Sequence, residues 1–287
     1  MIHSMTGYAA ATGDTPRGAL NIELRSVNAR FLDLQFRVSD ELRSLEPALR
    51  ELIAARVSRG KLDCRVFLKE AAIPPGARID ADALARLGAL SSEVAQKLPQ
   101  AAPLRVADVL RWPGVIAESP LDEEETRRIA SNLCRKALDE FVASRSREGA
   151  KLATAVAERV AAMRARLEQA APLVPQALAT YQAKLTERLR EAMGSADDER
   201  IRAELTVFAT KVDVDEELTR LRAHLDEVDR TLKKGGAVGK RLDFVAQELN
   251  REANTLASKA ASAELSDCAL ELKLLIEQMR EQVQNIE

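Results

Sequence analysis

Acidic side chains near a single histidine are the groups in this sequence best suited to catalysis. Only two histidines are present, His3 and His224, and His3 lies in the first few residues, where chains are commonly disordered. A mechanism that uses two histidines as acid and base is therefore disfavoured. The carboxylates that accompany His224 are Asp213, Glu217, Asp243, Glu248 and Glu252. Their hard oxygen atoms suit Mg²⁺ or Mn²⁺, and Mn²⁺ also accepts histidine. The competing interpretation is that each glutamate is an ordinary solvated helix residue.

Amide side chains form a second candidate site within residues 241–259, a segment that is predicted to be helical. At 100° per residue, one narrow polar stripe of this helix consists of Asp243, Gln247, Asn250 and Asn254, with Arg251 beside it. Asparagine and aspartate are poor residues in the middle of a helix. Their alignment therefore indicates a surface that hydrogen-bonds a ligand. A buried amide ladder against a neighbouring helix is an equally weighted alternative.

Several well-known catalytic and nucleotide-binding motifs are missing from the sequence. The loop at 233–241, KKGGAVGKR, superficially resembles a phosphate-binding loop, but Lys234 replaces its first glycine and Arg241 replaces the Ser/Thr that would hold Mg²⁺. A helix also precedes this loop instead of a strand. The sequence contains no HExxH, no GxSxG and no Cys/His cluster. We therefore exclude a Walker-type ATP site and keep only a basic loop that leads into a helix, a generic anion site.

Composition and charge narrow the class of protein. The 287 residues are 46% hydrophobic and 31% charged with only 12 glycines, which is typical of a helix-rich soluble protein of two domains. No apolar run is long enough to span a bilayer, and the N-terminal segment does not have the layout of a signal peptide. The three cysteines lie far apart in the sequence, so we expect reduced thiols and a cytoplasmic protein without a membrane partner.

The charge distribution bears on nucleic-acid binding. A net charge of −2 excludes a globally basic nucleic-acid binder, but residues 230–241 carry five Lys/Arg and no acid. Aromatic residues make up only 3% of the chain, which is few for a base-stacking platform. If the ligand is nucleic acid, we expect it to be held mainly through phosphates and 2′-hydroxyls.

The elements that position these residues form a predominantly helical α+β fold. Alternating apolar residues predict strands over 19–27 and 31–38, as antiparallel neighbours, and over 62–68. Residues 41–58 between them are predicted to be helical. The sequence thus predicts a small N-terminal antiparallel sheet with a helix, followed by a long-helix C-terminal body. Basic side chains cluster around the strand ends, where they could hold phosphates or simply protect a sheet edge with charge. These are Arg25, Arg30, Arg59, Lys61 and Arg65.

The C-terminal third is predicted to contain three helices, over 199–232, 241–259 and 264–286. The last of them repeats apolar residues every seven positions, which indicates a coiled-coil seam within the chain or between subunits. The predicted domains are 1–155, with an α/β lobe at 1–70 and a helical part at 78–155, and 199–287. Connecting helices are predicted over 156–198.

Motifs along the whole chain resemble the YicC/YloC family of bacterial stress-associated endoribonucleases. They are SMTGY at 4–8, ELRSVNARFLDLQFR at 23–37, RGK at 59–61, SREG at 146–149, DEELTRLRAHL at 215–225, GKRLDFVAQELNREANTLASKA at 239–260 and REQVQNIE at 280–287. The resemblance implies endonucleolytic cleavage of RNA that depends on a divalent metal cation, Mn²⁺ or Mg²⁺. It further implies a role in the turnover of small regulatory RNAs, a homo-oligomer in the form of a hexamer that encloses RNA, and contact with other RNA-degradation enzymes.

The positions of these residues on the faces of the predicted helices, together with the family motifs, suggest a role for each candidate residue. We expect His224, Glu248 and Glu252 to be catalytic and Glu217, His224, Glu248 and Glu252 to hold or border the metal. The expected RNA-binding residues are Arg25, Asn28, Arg30, Arg59, Lys61, Arg220, Arg222, Lys240, Arg241, Asn250, Arg251, Asn254 and Lys259. The alternative function is a non-catalytic, oligomeric RNA-binding adaptor that delivers RNA to another nuclease.

This chain departs from the usual family pattern at two places. Ala29 stands where the family usually has histidine, so the role of that imidazole is absent here. Residues 256–262 read LASKAAS where the family usually has IGSKAND. The second departure replaces a glycine, an amide and a carboxylate at Ala257, Ala261 and Ser262, close to the predicted metal residues.

Overall fold

The computed structural model describes residues 1–29, 31–70, 78–116, 122–193 and 198–287. The fold is α+β and predominantly helical, as the sequence predicts. The chain forms two compact units, one of residues 7–142 and one of residues 1–6 together with 143–287. The change from one unit to the other occurs inside a helix of 48 residues, α4 (Glu123–Ala170). The predicted domain limit at residue 155 also lies inside this helix.

A four-stranded sheet forms the first part of the unit 7–142. Its strands are β1 (Gly7–Thr15), β2 (Gly18–Val27), β3 (Leu32–Val38) and β4 (Gly60–Glu70), in the spatial order β1-β2-β4-β3. β2 pairs antiparallel with β1 and β4, whereas β3 pairs parallel with β4. The expectation that β2 and β3 are antiparallel neighbours is therefore wrong, because β4 lies between them. The segment that follows β3 forms a 3₁₀ helix (Asp40–Leu45) and then α1 (Glu46–Ala54).

Strand β1 was not predicted from the sequence, and its composition explains why. Its inward-facing residues include Ala9 and Ala11, which are buried but too small to give a clear alternation of apolar and polar residues. One face of the sheet, with buried Leu20, Ile22 and Leu62, packs in a common core with α1 and the first half of α4. Two further helices, α2 (Ala81–Lys97) and α3 (Val106–Leu110), complete the described part of this unit.

The other unit is a helical body around a second core. After α4 come α5 (Leu173–Met193), α6 (Asp198–Val212), α7 (Asp215–Lys234), α8 (Gly239–Lys259) and α9 (Ala263–Val283). The seven-residue repeat of Leu265, Leu272, Met279 and Ile286 is buried within this core. In the described residues, no helix has both the length and the apolar character needed to cross a membrane.

The predicted helix over 199–232 is wrong, because the chain breaks it into α6 and α7. The break consists of Asp213 and Val214. Val214 is fully buried in the core of this unit, and the Asp213 carboxylate accepts a hydrogen bond from the backbone N–H of Asp215 at 3.2 Å. Such a local bond gives the backbone an alternative to continuing the helix.

Residues 1–6 bind along α4 and the C-terminal segment. The backbone N–H of Ser4 donates to the carbonyl of Arg145 (2.9 Å), and that of Glu287 donates to the carbonyl of His3 (2.9 Å). The buried guanidinium of Arg145 donates in turn to the carbonyl of Ser4 (2.6 Å) and to Oε2 of Glu287 (2.7 Å). The motifs SMTGY, SREG and QNIE therefore meet in space and hold the two chain ends together.

Candidate functional site

Helix α8 carries most of the candidate residues and packs between α7 and α9. Its apolar face is buried in the core through Val245, Leu249 and Leu256. At its first residue, Gly239, a Cβ atom would collide with the backbone carbonyl oxygen of Ile286. Only glycine therefore permits the C-terminal segment to lie so close to the beginning of α8. The polar residues of α8 lie on the two flanks of its apolar face.

One flank of α8 faces α7, and each of these two helices contributes one buried carboxylate here. They are Glu217 on α7 and Glu252 on α8, and each residue is only 4% exposed. Nζ of Lys259 lies 2.8 Å from Oε1 of Glu217, and Nη1 of Arg220 lies 3.5 Å from Oε1 of Glu252. We call these four residues the carboxylate cluster. Oε2 of Glu217 is buried without a hydrogen-bond partner, which is rare for a charged group in a folded protein.

The two cations of the carboxylate cluster are more accessible than its anions. The Arg220 side chain is half exposed and that of Lys259 is one-third exposed. The hydrogen bond from Lys259 to Glu217 raises the pKa of the Lys259 ammonium. Arg220 also pairs with Glu216 of its own helix. The cluster therefore presents positive groups to solvent above negative groups that are shielded from it.

His224 and Glu248 lie further along the same flank. Lys259 is opposite Glu217 and Glu252 is opposite Arg220, so the antiparallel register of α7 and α8 brings His224 towards Glu248. Both side chains are partly buried. Among the described residues, no three His, Cys, Asp or Glu side chains are arranged so that they could hold a metal ion. The predicted metal ligands thus share one flank, but the two buried carboxylates pair with cations and not with each other.

The amide side chains lie on the other flank of α8, which faces α9. They line an open groove of about 450 Å³ with Gln247, Asn250, Arg251 and Asn254 from α8 and Arg280 from α9. Asn254 Nδ2 donates to Asn250 Oδ1 at 2.8 Å, one turn apart on the same helix. These amides are exposed or half buried. They form a surface stripe rather than a ladder buried against a neighbouring helix.

Asp243 binds two of the residues that line the amide groove. Its carboxylate accepts hydrogen bonds from Nε2 of Gln247 (2.8 Å) and from Nε of Arg280 (3.3 Å). Arg280 was not predicted, because it lies on α9, far from the amide stripe in sequence. The one available signal is its position directly after Met279 of the seven-residue repeat, at the border of a buried face.

The structure places the carboxylates and the amides of α8 on different flanks of the helix. At 100° per residue, Glu248 and Glu252 lie about 150° around α8 from Asn250 and Asn254. The exposed ridge between the two flanks carries Arg251, whose Nη1 is 4.0 Å from Oε2 of Glu248. The carboxylate cluster and the amide groove are therefore adjacent sites on one helix and not a single pocket.

The other predicted basic residues of the helical unit differ in how they are engaged. Arg222 pairs with Glu168 of α4 at 3.6 Å. Arg241 pairs with Glu227 of α7 at 3.1 Å, and this hydrogen bond holds the pKa of the Glu227 carboxyl below its usual value. Lys240 is exposed at the beginning of α8.

The predicted RNA-binding residues of the first unit lie at one end of the sheet. Arg25, Asn28 and Lys61 are exposed. Arg59 donates from Nε to the carbonyl oxygen of Ala29 at 3.0 Å, so this arginine supports the connection between β2 and β3. Arg30 lies outside the described residues.

The departures from the family pattern near residue 260 coincide with the turn between α8 and α9. Ser262 is the N-cap of α9, and its hydroxyl accepts a hydrogen bond from the backbone N–H of Leu265 at 3.2 Å. Serine and aspartate are both strong N-cap residues. The replacement of a usual aspartate by Ser262 therefore keeps the structural role of this position, and the carboxylates of the cluster come from other residues.

Comparison with known proteins agrees with the resemblance. A family model described as endoribonuclease YicC-like, N-terminal region, matches residues 2–154, and a second one, described as endoribonuclease YicC-like, C-terminal, matches residues 170–287. A protein of Haemophilus influenzae named "Probable endoribonuclease YicC" is 37% identical over 294 aligned residues that cover all of both chains. A protein of the same name from Clostridioides difficile is 27% identical over 293 residues, again across all of both chains. The chain therefore belongs to the YicC-like endoribonuclease family.

Proposed function

We propose that this protein is an endoribonuclease that hydrolyses phosphodiester bonds within RNA at the carboxylate cluster, with the help of a divalent metal cation. The observation that carries the proposal is the burial of Glu217 and Glu252 on adjacent helices, with one oxygen of Glu217 left without a partner. Burying two carboxylates destabilises a fold unless they are fully paired. Incomplete pairing of such groups is typical of functional sites.

The chemistry of the donor set suits a hard divalent cation, although the described residues bring no three such side chains together in this structure. Carboxylate oxygens are the ligands that Mg²⁺ and Mn²⁺ prefer, and the unpartnered Oε2 of Glu217 has a lone pair to offer. Glu248, further along the flank, offers a second carboxylate, and Glu252 and His224 remain for proton transfer. A cation bound there would supply Lewis-acid activation of water and would neutralise charge on the phosphate.

The residues of the cluster have complementary tasks in hydrolysis. Arg220 and Lys259, the exposed cations, bind the non-bridging oxygens of the scissile phosphate, for which an arginine fork is well suited. Glu252 accepts a proton from the attacking water, since its contact with Nη1 of Arg220 is long, at 3.5 Å. His224, on the same flank, donates a proton to the departing ribose oxygen.

The amide groove binds RNA beside the cleavage site. Asn250 and Asn254 can each donate and accept hydrogen bonds, which matches the 2′-hydroxyl of ribose. Arg251 and Arg280 hold the adjacent phosphates. The other predicted RNA-binding arginines and lysines contribute through charge, which supports affinity without sequence preference. We extend the proposal to turnover of small regulatory RNAs by a hexamer, which the family resemblance implies.

Cleavage of an end-labelled structured RNA tests the proposal. Wild type, Glu252→Gln and Glu217→Gln would be compared with Mn²⁺, with Mg²⁺ and with EDTA. The matched control is Glu204→Gln on α6, where an exposed glutamate is changed in the same way. We expect the two cluster variants to cleave on the order of 10²-fold more slowly than wild type, to bind RNA within about threefold of wild type, and the control to be unchanged.

Two results would refute the proposal. One is cleavage by Glu252→Gln and Glu217→Gln at the rate of the control with the same metal dependence. The other is RNA binding by wild type without any cleavage that requires metal, which would identify an adaptor that delivers RNA to another nuclease. Light scattering of the same preparations measures whether the oligomer is a hexamer.

A further inference from the structure

The four-stranded sheet has one face that packs in the core and one that is exposed. Side chains alternate between the two faces along each strand, and Ile22, Leu24 and Val66 point into the core. The residues between them point the other way and are exposed or half buried. We call this second side the outer sheet face. It is formed by the outward residues of β1, β2, β3 and β4.

Two aromatic side chains lie on the outer sheet face. Tyr8 on β1 is 56% exposed and Phe67 on β4 is 39% exposed. Aromatic residues are scarce in this chain, which has six phenylalanines, two tyrosines and one tryptophan. A single exposed aromatic residue needs no explanation, but two on one exposed sheet face are more informative, because an aromatic ring can stack on a base.

Each aromatic side chain has an arginine as its neighbour. Tyr8 is directly opposite Arg25 in the register of β1 and β2, and such cross-strand pairs are about 5 Å apart. Arg65 lies two residues before Phe67 on β4, and therefore on the same face. Both arginines are exposed. Aromatic residues that alternate with cations are the feature by which proteins hold single-stranded nucleic acid.

The other charged side chains on this face are mixed in sign: Lys61, Asp63 and Lys69 on β4, Asp14 on β1, Glu23 on β2, and Asp33 and Arg37 on β3. Asp63 on β4 is directly opposite Arg25 on β2. Its Oδ2 lies 3.2 Å from Nη2 of Arg37 and 3.9 Å from Nε of Arg65. Its negative charge is thereby compensated. Lys61, the outward-facing residue that precedes Asp63 on β4, is exposed near the end of the sheet. Glu23, in the centre of the face, lies opposite Arg65 in the register of β2 and β4.

The register also sets the distance between the two aromatic residues. Tyr8 and Phe67 are separated by two strand spacings and by four residues along the strands. With ordinary sheet dimensions this corresponds to about 17 Å. A sheet of this size stacks two or three bases in known RNA-binding modules. The outer sheet face is therefore large enough for a short unpaired segment.

We propose that the outer sheet face binds single-stranded RNA, with one base stacked on Tyr8 and another on Phe67, and with the phosphates between them held by Arg25 and Arg65. The inference rests on the proposed function only in taking RNA as the ligand. Unpaired RNA is specified because bases inside a duplex offer no free face for stacking. The scarcity of aromatic residues limits the platform to these two positions.

Fluorescence anisotropy with a labelled unstructured RNA oligonucleotide in EDTA tests this inference on the full chain. We expect Tyr8→Ala and Phe67→Ala each to weaken binding about fivefold or more. Tyr8→Phe keeps the ring and should stay within about twofold of wild type. The control is Trp112→Ala, an exposed aromatic residue outside the sheet, which should bind like wild type. Affinity for a blunt RNA duplex should be the same for all these variants.

A second measurement identifies the contact directly. RNA that contains 4-thiouridine should cross-link on irradiation to peptides that include residue 8 or residue 67. The inference is overturned if wild type does not bind the oligonucleotide, or if both alanine variants bind it like wild type. It is also overturned if weaker binding is accompanied by a smaller oligomer in light scattering, because the face would then be a contact between copies. Normal cleavage by Glu252→Gln would refute the proposed active site and leave the binding result intact.

Discussion

The packing of residues 1–6 against α4 makes a strong prediction for Gly149. This glycine lies inside α4, where alanine would ordinarily be more favourable by about 1 kcal/mol. A Cβ atom at this position, however, would collide with the backbone carbonyl oxygen of Ile2. It would also lie 2.7 Å from the carbonyl carbon of Ile2 and 2.8 Å from Cα of His3. All three are backbone atoms, so no side chain can rotate to make room, and α4 and the N-terminal segment must separate.

The separation weakens the contacts that hold the chain ends together. Forcing a methyl group into a packed interior destabilises a protein by about 1–3 kcal/mol. A shift of the N-terminal segment also weakens the 2.6 Å bond from Arg145 to the carbonyl of Ser4, and bonds of this charged kind contribute about 1.5–3 kcal/mol. After subtraction of the gain in helix propensity, we expect Gly149→Ala to lower the free energy of unfolding by about 2 kcal/mol.

Gly88→Ala is the matched control for this substitution. Gly88 lies inside α2, and nothing lies within 4 Å of the position of its Cβ atom. Here the helix propensity should act alone, so we expect a stabilisation of about 0.5–1 kcal/mol. Because the chain has two units and need not unfold in one step, hydrogen exchange of the α4 amides should accompany urea unfolding followed by circular dichroism.

A double-mutant cycle identifies the cause. In a chain without residues 2–6, the atoms that obstruct the Cβ of residue 149 are gone, so Gly149→Ala should become neutral or stabilising. The reasoning is refuted if Gly149→Ala is as stable as wild type in the full chain. It is also refuted if the substitution is equally harmful with and without residues 2–6.

Three further predictions concern side chains whose environment is well defined. Burial raises the pKa of all three cysteine thiols, that of Cys134 to about 11. Cys64 and Cys134 are also fully buried, so at pH 8 both should resist alkylation in the folded protein and only the half-buried Cys268 should react. Three fast thiols would contradict this. Ser262→Ala should destabilise the protein by about 1 kcal/mol and Ser262→Asp should not, as measured by urea unfolding. Arg145→Met should destabilise it by about 3 kcal/mol in the same assay, because the buried Ser4 carbonyl and the partly buried Glu287 carboxylate both lose a charged donor.

The long periodic segments were well predicted from the sequence. The helix expected over 241–259 is α8 (Gly239–Lys259), and the one expected over 264–286 is α9 (Ala263–Val283) with an irregular last turn. Both carry large apolar residues at helical spacing, so the local pattern and the tertiary packing agree. The break at Asp213 was missed for the opposite reason. The helical pattern continues through it, and the burial of Val214 that ends α6 is a property of the folded core.

The candidate site was predicted less completely, and the sheet shows the same limit. Periodicity identified the stripe of Asn250 and Asn254, but it could not indicate that this flank faces α9 and Arg280 while Glu252 faces α7. Likewise β2 and β3 were recognised as strands, but the insertion of β4 between them depends on pairing over a long sequence distance. Partners that are distant in sequence are set by tertiary packing, which local patterns do not encode.

The separation of the two flanks has a consequence for kinetics. The carboxylate cluster and the amide groove lie on either side of a helix about 10 Å wide with its side chains, and the exposed ridge between them carries Arg251. A phosphate bound by Arg220 at the cluster is therefore not the one that Asn254 contacts in the groove. Under the proposed function the groove would bind a neighbouring nucleotide, which would make the same contacts before and during cleavage. Loss of such a contact raises KM and leaves kcat nearly unchanged. We expect Asn254→Ala to raise KM by about five- to tenfold with kcat within about twofold of wild type, whereas Glu252→Gln lowers kcat. A fall in kcat for Asn254→Ala as large as that for Glu252→Gln would mean that both flanks act on the same phosphate.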